Sequence, residues 1–68
     1  MKTKFCERLK ELRAVNNMTQ QDLAKAVNVC KSAVSAWEIG RNQPSYDILM
    51  DIAKFFDVSV DYLIGYQD

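Results

Sequence analysis

Residues 19–37 of the chain, TQQDLAKAVNVCKSAVSAW, decide its fold. The stretch opens with Thr19 and, three residues later, Asp22, the spacing of a capping box in which each side chain accepts the other residue's backbone N–H. A helix is predicted over Gln20–Val27, and its apolar residues share one face: Leu23, Ala24 and Val27. Asn28 follows as the turn residue, because asparagine tolerates the positive φ that a tight turn requires. The first half of the stretch is therefore a short helix followed by a turn.

The second half of the stretch predicts another short helix that crosses the first. It begins near Lys31, and Val34 and Trp37 lie three residues apart on its buried side. Gly40 is placed to take the positive φ of a helix C-cap, and Ala24 is small where the two helices cross. Two short helices joined by a tight turn form a helix-turn-helix motif. Four residues are left on the outer face of its second helix: Lys31, Ser32, Ser35 and Ala36.

Three further helices are predicted around this motif. Helix 1, residues 4–16, has apolar residues at helical spacing: Phe5, Leu9, Leu12 and Val15. Helix 4 follows a Ser45 cap, and its buried stripe is Tyr46, Leu49, Ile52, Ala53 and Phe56. Helix 5 runs over Val60–Ile64, between a cap at Ser59 and a stop at Gly65. The fold class is therefore an all-α, compact five-helix bundle, with residues 1–68 forming one domain.

Composition and length exclude several classes of protein. The chain has 68 residues, of which 49% are hydrophobic, with only two Gly and one Pro, so neither a disordered nor a collagen-like chain is expected. Apolar runs are a few residues long, too short to cross a bilayer, and the N-terminus has no apolar signal core. A cytoplasmic location is the expectation.

The charges are unevenly distributed along the chain. The net charge is zero, whereas nucleic-acid-binding domains commonly have a basic surplus. Residues 1–43 have a net charge of +4, however, and residues 44–68 a net charge of −4. One end of the molecule can thus face phosphates while the other faces away from them.

Metal, cofactor and catalytic sites find no support in the sequence. There is no histidine, and the two cysteines, Cys6 and Cys30, lack CxxC spacing. Neither a phosphate-cradling glycine loop nor a glycine elbow around a serine is present. We therefore expect no structural disulfide, no metal, no cofactor and no enzyme activity.

From Phe5 to Gly65 the sequence resembles the lambda-repressor-like helix-turn-helix domains, the Cro and phage-repressor family of xenobiotic-response-element (XRE) type. The matching segments are FCERLKELR, MTQQDLAKAV, VCKSAVSAWEIGRNQPS and ILMDIAKFFDVSVDYLIG. This resemblance implies sequence-specific binding of double-stranded DNA, with helix 3 in the major groove. It also implies a transcriptional regulator, for which repression is favoured over activation. Homodimers are usual in the family, and a palindromic operator would match their symmetry.

The resemblance also assigns roles to individual residues. Three residues of helix 3 match positions that touch base edges, and a fourth lies beside them: Lys31, Ser32 and Ala36, with Ser35. Other residues match contacts to the DNA backbone: Gln20, the loop residues Arg41, Asn42 and Gln43, and, more weakly, Asn17. The family pattern pairs an arginine at position 13 with the glutamate at position 38, so a structural ion pair is expected between Arg13 and Glu38.

Two residues depart from the family pattern. Cys30 stands where serine or threonine usually caps helix 3, which weakens that cap by about 1 kcal/mol. Asp57 stands where glycine is common after helix 4. Neither residue is expected to touch the outer face of helix 3, so both bear on stability more than on function.

Alternatives remain for some residues and for the function. Trp37 could stack on a base, although its spacing from Val34 favours the core. The C-terminal residues Tyr62, Leu63, Ile64 and Tyr66 are the expected dimer seam. The alternative function is a protein-interaction module or antitoxin-like partner that retains the fold without strong DNA binding, as the zero net charge would suit.

Overall fold

The computed structural model describes residues 4–65, and within this range the chain is all-helical. The helices are α1 (Phe5–Val15), α2 (Gln20–Ala26), α3 (Lys31–Glu38), α4 (Tyr46–Phe56) and α5 (Val60–Ile64). The predicted five-helix, all-α fold is confirmed, and each helix lies within about a residue of its predicted bounds. None of the helices in this part of the chain is both long enough and apolar enough to cross a membrane.

Side chains from all five helices form one hydrophobic core. Its buried residues are Phe5, Leu9, Leu23, Ala24, Val27, Val34, Trp37, Ile52, Ala53 and Leu63. α3 packs against both α1 and α2, and α5 packs against α1 and α4. The ring of Trp37 is only 4% exposed and meets the edge of Phe5 with the ring centroids 6.4 Å apart. Trp37 is therefore a core residue, which excludes the alternative that it stacks on a base.

Short polar side chains begin three of the helices as predicted. Thr19 Oγ1 accepts the backbone N–H of Asp22, and Asp22 Oδ2 accepts that of Thr19, both at 3.0 Å, so the capping box is present. Ser45 and Ser59 likewise cap α4 and α5. The side chain of Cys30 makes no capping hydrogen bond to a backbone N–H at the start of α3. The weaker cap expected there is confirmed.

Three expectations about burial or position are corrected by the structure. Tyr46 is 84% exposed, although it was expected in the buried stripe of helix 4, and Val15 is 78% exposed, although its spacing places it on one helix face with the buried Phe5 and Leu9. Val15 is the last residue of α1 and Tyr46 the first of α4, so both lie at helix ends that no other element covers. Leu63 is fully buried in the core and is therefore excluded from a dimer seam. Tyr66, another residue of that expected seam, lies outside the described residues.

The beginning of the described chain is fixed against α5. The backbone N–H of Lys4 donates to the carbonyl oxygen of Ile64 at 3.1 Å, and the Arg8 guanidinium lies 4.2 Å from the ring centroid of Tyr62. Gly65 ends α5 at φ +82, and a Cβ built there would lie 2.8 Å from the Cβ and Cγ of Lys4. Position 65 therefore requires glycine for two reasons, a positive φ and a close approach.

We expect Gly65→Ala to destabilise the protein more than Gly40→Ala. Gly40 has a similar φ of +78, but a Cβ there would meet nothing within 4 Å. Gly40→Ala should thus cost only the left-handed backbone penalty, about 1–2 kcal/mol, whereas Gly65→Ala adds the clash with Lys4. Urea unfolding of both variants measures the difference, and equal losses would contradict the close approach.

Candidate nucleic-acid interface

The turn between α2 and α3 sets the position of α3. Asn28 adopts φ +61, which confirms its predicted role. The backbone N–H of Val29 then donates to the carbonyl oxygen of Ala24 at 2.9 Å, and Val29 packs against the core. The side chain of Ala24 is fully buried, which fits the prediction that a small residue is needed where the helices pack. α3 is thereby held against α2 over a short, rigid turn.

The structure brings the four predicted base-contacting residues together on one face of α3. Lys31 and Ser32 are exposed in its first turn, and Ser35 and Ala36 are half-buried one turn later. Positions four residues apart lie above one another on a helix, so Lys31 stands beside Ser35 and Ser32 beside Ala36. Val34 and Trp37 face the core from the opposite side of the same helix. The exposed face of α3 is therefore narrow, polar at its start and small at its end.

The two cysteines are free thiols. Exposed Cys30 precedes this face, and its Sγ lies 3.1 Å from Ser32 Oγ, within hydrogen-bond distance. The expectation that Cys30 does not touch the face is therefore wrong. The hydrogen bond with Ser32 is the main cause of the lowered pKa of the Cys30 thiol. Among the described residues no cluster of His, Cys, Asp or Glu has the geometry to hold a metal ion.

The predicted backbone-contacting residues lie in two segments. Asn17, exposed at φ +55, is in the turn before α2, and half-buried Gln20 is the first residue of α2. The second segment is the exposed loop after α3: Arg41, Asn42 and Gln43. The backbone N–H of Arg41 donates to the carbonyl oxygen of Ala36 at 2.9 Å. This bond fixes the start of the loop next to the last turn of α3.

The predicted ion pair between Arg13 and Glu38 is present and connects α1 with α3. Nε of Arg13 donates to Oε2 of Glu38, and Nη2 donates to Oε1 at 2.8 Å. Nη1 of Arg13 also donates to the carbonyl oxygen of Met18, at 2.8 Å. The Glu38 side chain is 4% exposed and that of Arg13 is 19% exposed. The pair is therefore largely shielded from water and also fixes the turn before α2.

A third side chain joins this ion pair. Nε2 of Gln20 donates to Oε1 of Glu38 at 3.0 Å, so the amide assigned to the DNA backbone also faces a buried carboxylate. Burial alone would raise the pKa of Glu38, but the hydrogen bonds from Arg13 and Gln20 outweigh it and lower the pKa below its ordinary value. Hydrogen bonding to Glu38 raises the pKa of Arg13. Glu38 is thus ionised at neutral pH.

The sequence of residues 9–63 also matches a known family. A family model described as helix-turn-helix matches this range, most of the chain. The chain belongs to the helix-turn-helix family. The match begins at Leu9 in α1 and ends at Leu63 in α5, so it includes all the residues of the α3 face and of the loop after it.

Named relatives of this helix-turn-helix chain are transcriptional regulators. It is 36% identical over 64 residues to the uncharacterized HTH-type transcriptional regulator YobD of Bacillus subtilis, covering 94% of this chain and 57% of YobD. It is 39% identical over 64 residues to the HTH-type transcriptional activator BcrR of Enterococcus faecalis, covering 94% of this chain and 31% of BcrR. The chain therefore spans between about a third and three fifths of the length of these two relatives.

A solved structure has the same fold. The P22 c2 repressor protein, crystallised in complex with a synthetic operator, superposes with a TM-score of 0.86 at 30% identity, over 93% of this chain and 96% of the repressor chain. This helix-turn-helix chain thus shares its fold with the P22 c2 repressor protein.

The hydrogen bond between Gln20 and Glu38 is the part of the site that sequence reasoning missed. The two residues are 18 positions apart, and both are polar residues of kinds that usually face water. Only the family pattern singled out Glu38, and it named Arg13 as the partner. No feature of the sequence singles out Gln20 as a second donor to the same oxygen atom.

Proposed function

We propose that the chain binds double-stranded DNA sequence-specifically by placing α3 in the major groove, and that it regulates transcription. The observation that supports this most directly is the face of α3 that begins with Lys31 and Ser32. On the opposite side of α3, Val34 and Trp37 are buried in the core. The exposed side chains therefore project from a helix that is fixed in place. The similarity to a repressor solved with its operator supports the same function.

Each residue of the α3 face suits a different feature of a base pair. The Lys31 ammonium donates hydrogen bonds and suits guanine O6 or N7, and the Ser32 hydroxyl suits either a donor or an acceptor. The Ala36 methyl suits the thymine methyl group, with Ser35 as a further polar contact beside it. These roles require a close approach of α3 to the bases, which the small side chains at positions 32, 35 and 36 permit.

Residues on both sides of α3 are proposed to bind the sugar-phosphate backbone. Before α3 these are Asn17 and Gln20, and after it they are Arg41, Asn42 and Gln43. Such contacts fix the register of a protein on the duplex without reading its sequence. The excess of positive charge in residues 1–43 favours the approach of this side to phosphates.

The proposed active form is a homodimer on a palindromic operator. One domain of this size contacts few base pairs, and a two-fold dimer doubles the site with half-sites about one helical turn apart. We favour repression over activation, since one structure similar over nearly its whole length is that of a repressor. As such a regulator, the protein is expected to act in the cytoplasm.

Selection of bound sequences from a random duplex pool, followed by titration, tests this function. The protein should enrich a palindromic sequence and bind it roughly 10³-fold more tightly than random duplex at the same salt concentration. Two protein molecules should bind per palindrome, and an isolated half-site should bind more weakly. If nothing is enriched and random duplex is not bound even at low salt, the chain is instead a protein-interaction module or antitoxin-like partner with this fold.

A further inference from the structure

The amide of Gln20 is oriented by a buried partner rather than by solvent. Gln20 is half-buried at the start of α2, and its Nε2 donates to Oε1 of Glu38 at 3.0 Å. Within the described part of the chain, the side chain of Gln20 makes this one hydrogen bond. Its partner, Glu38, is 5% exposed. The position of the Gln20 nitrogen is therefore set from inside the molecule.

The chemistry of the partner decides which end of the amide faces it. An ionised carboxylate only accepts hydrogen bonds, whereas a glutamine amide has two N–H donors at one end and an acceptor oxygen at the other. Only the NH₂ end can face Glu38. One N–H is used in that bond, and the second N–H is left to donate to another acceptor.

We propose that Glu38 is a positioning residue for DNA binding, which fixes the Gln20 amide so that its second N–H donates to a phosphate oxygen of the duplex. This inference rests on the proposed function, because it needs a bound duplex. Glu38 does not touch the DNA in this arrangement. It acts through Gln20, and without it the amide can turn its oxygen toward the phosphate, where two acceptors would repel each other.

Arg13 completes this arrangement from the other side. Its two donors to Glu38 fix the carboxylate in place and keep it ionised, and its third donor binds the carbonyl oxygen of Met18, two residues before Gln20. The same arginine therefore fixes both the partner of the Gln20 amide and the backbone that leads into α2. The backbone leading to Gln20 and the side chain of Gln20 are therefore both held in place.

A double-mutant cycle on DNA affinity tests the proposal. Gln20→Ala should weaken binding to the selected duplex about 10-fold, without changing the salt dependence, because a neutral amide displaces no counterion. Glu38→Met removes the acceptor at similar side-chain size and should weaken binding by a similar factor. In the Gln20→Ala background, Glu38→Met should have less than about a twofold further effect.

Gln21→Ala provides the matched control, since Gln21 is the neighbouring glutamine and is exposed. In the Gln21→Ala background Glu38→Met should retain its full effect on affinity. If Glu38→Met weakens the Gln20→Ala protein as much as it weakens the unchanged protein, Glu38 does not act through Gln20 and the proposal is wrong. Binding is compared at a temperature at which circular dichroism shows every variant folded.

A measurement on the unchanged protein covers the case in which Glu38→Met does not fold. The two side-chain amide protons of Gln20 are observed by ¹⁵N NMR with and without the selected duplex. We expect one proton, bonded to Glu38, to retain its chemical shift, while the other moves on binding. Equal movement of both protons, or of neither, would overturn the proposal. Failure of the protein to bind any duplex would instead contradict the proposed function, so the two failures are distinguishable.

Discussion

Replacing Arg13 with methionine is expected to lower the free energy of unfolding by about 3–5 kcal/mol at pH 7, because it leaves a buried carboxylate without its cation. Glu38 would retain only the hydrogen bond from Gln20, with its side chain 4% exposed. The carbonyl oxygen of Met18 would also lose its donor. Small domains are marginally stable, so this loss would be a large fraction of the total. Urea unfolding at low temperature measures it.

The loss of stability in Arg13→Met should depend on pH in a defined direction. In the unchanged protein the folded-state pKa of Glu38 is lowered, so its contribution to stability is fully present above the ordinary carboxyl pKa of 4.5 and is lost as the pH falls through the lower, folded value. Without Arg13, burial of Glu38 becomes the dominant influence and raises its pKa. At acid pH, protonation of Glu38 then removes its unpaired charge and restores part of the stability of the variant. The stability difference between the two proteins should be largest at neutral pH and should narrow as the pH falls toward 4.5.

Arg41→Met is the matched control for this prediction. It makes the same chemical change at an exposed position and should alter stability by less than about 0.5 kcal/mol. Asp22 also has a lowered pKa, caused by its hydrogen bonds to Thr19, but this contribution is common to both proteins and cancels in the difference. A stability difference that is small, or that does not change between pH 7 and pH 4.5, would show that Glu38 reaches water.

Local signals in the sequence were sufficient to predict the helices. Thr19, Ser45 and Ser59 begin helices because their side chains bond backbone N–H groups within three residues, and such short-range bonds are visible as sequence patterns. Asn28 was also predicted from a local signal, since few residue types tolerate the positive φ that this turn requires. Features that depend on neighbours in sequence were therefore predictable.

Features that depend on distant parts of the chain were predicted less well. Helical spacing shows which residues share a face, but not whether another element covers the whole of that face. Tyr46 was therefore wrongly expected to be buried, and Val15 is exposed although it shares its face with buried residues. In the candidate site, the outer face of α3 follows from Val34 and Trp37 being buried, and the structure presents it as predicted. The bond between Gln20 and Glu38 joins two helices that are separated in sequence, and spacing within either helix contains no information about it.

Lys31→Ala and Arg41→Ala are expected to impair DNA binding in different ways, which separates base recognition from backbone binding. Lys31 is exposed in the first turn of α3, and Arg41 is exposed after its last turn, with its backbone bonded to Ala36. Lys31→Ala should lose discrimination at one or two base pairs, by about 1–3 kcal/mol, because it removes a donor to base edges. Arg41→Ala should weaken binding to all sequences alike, because it removes a phosphate contact.

Salt dependence and base preference together distinguish these two roles. The slope of log affinity against log salt concentration is about 0.9 per phosphate neutralised, so Arg41→Ala should lower the slope by about one. Each variant is titrated against the selected duplex, its single-base variants and random duplex at several salt concentrations. Lys25→Ala is the control, since Lys25 is exposed on α2 and belongs to neither set of predicted contacts, and it should leave base preference unchanged. If Lys31→Ala weakens binding to every duplex equally and leaves the base preferences intact, Lys31 contacts phosphate and the start of α3 does not read the sequence.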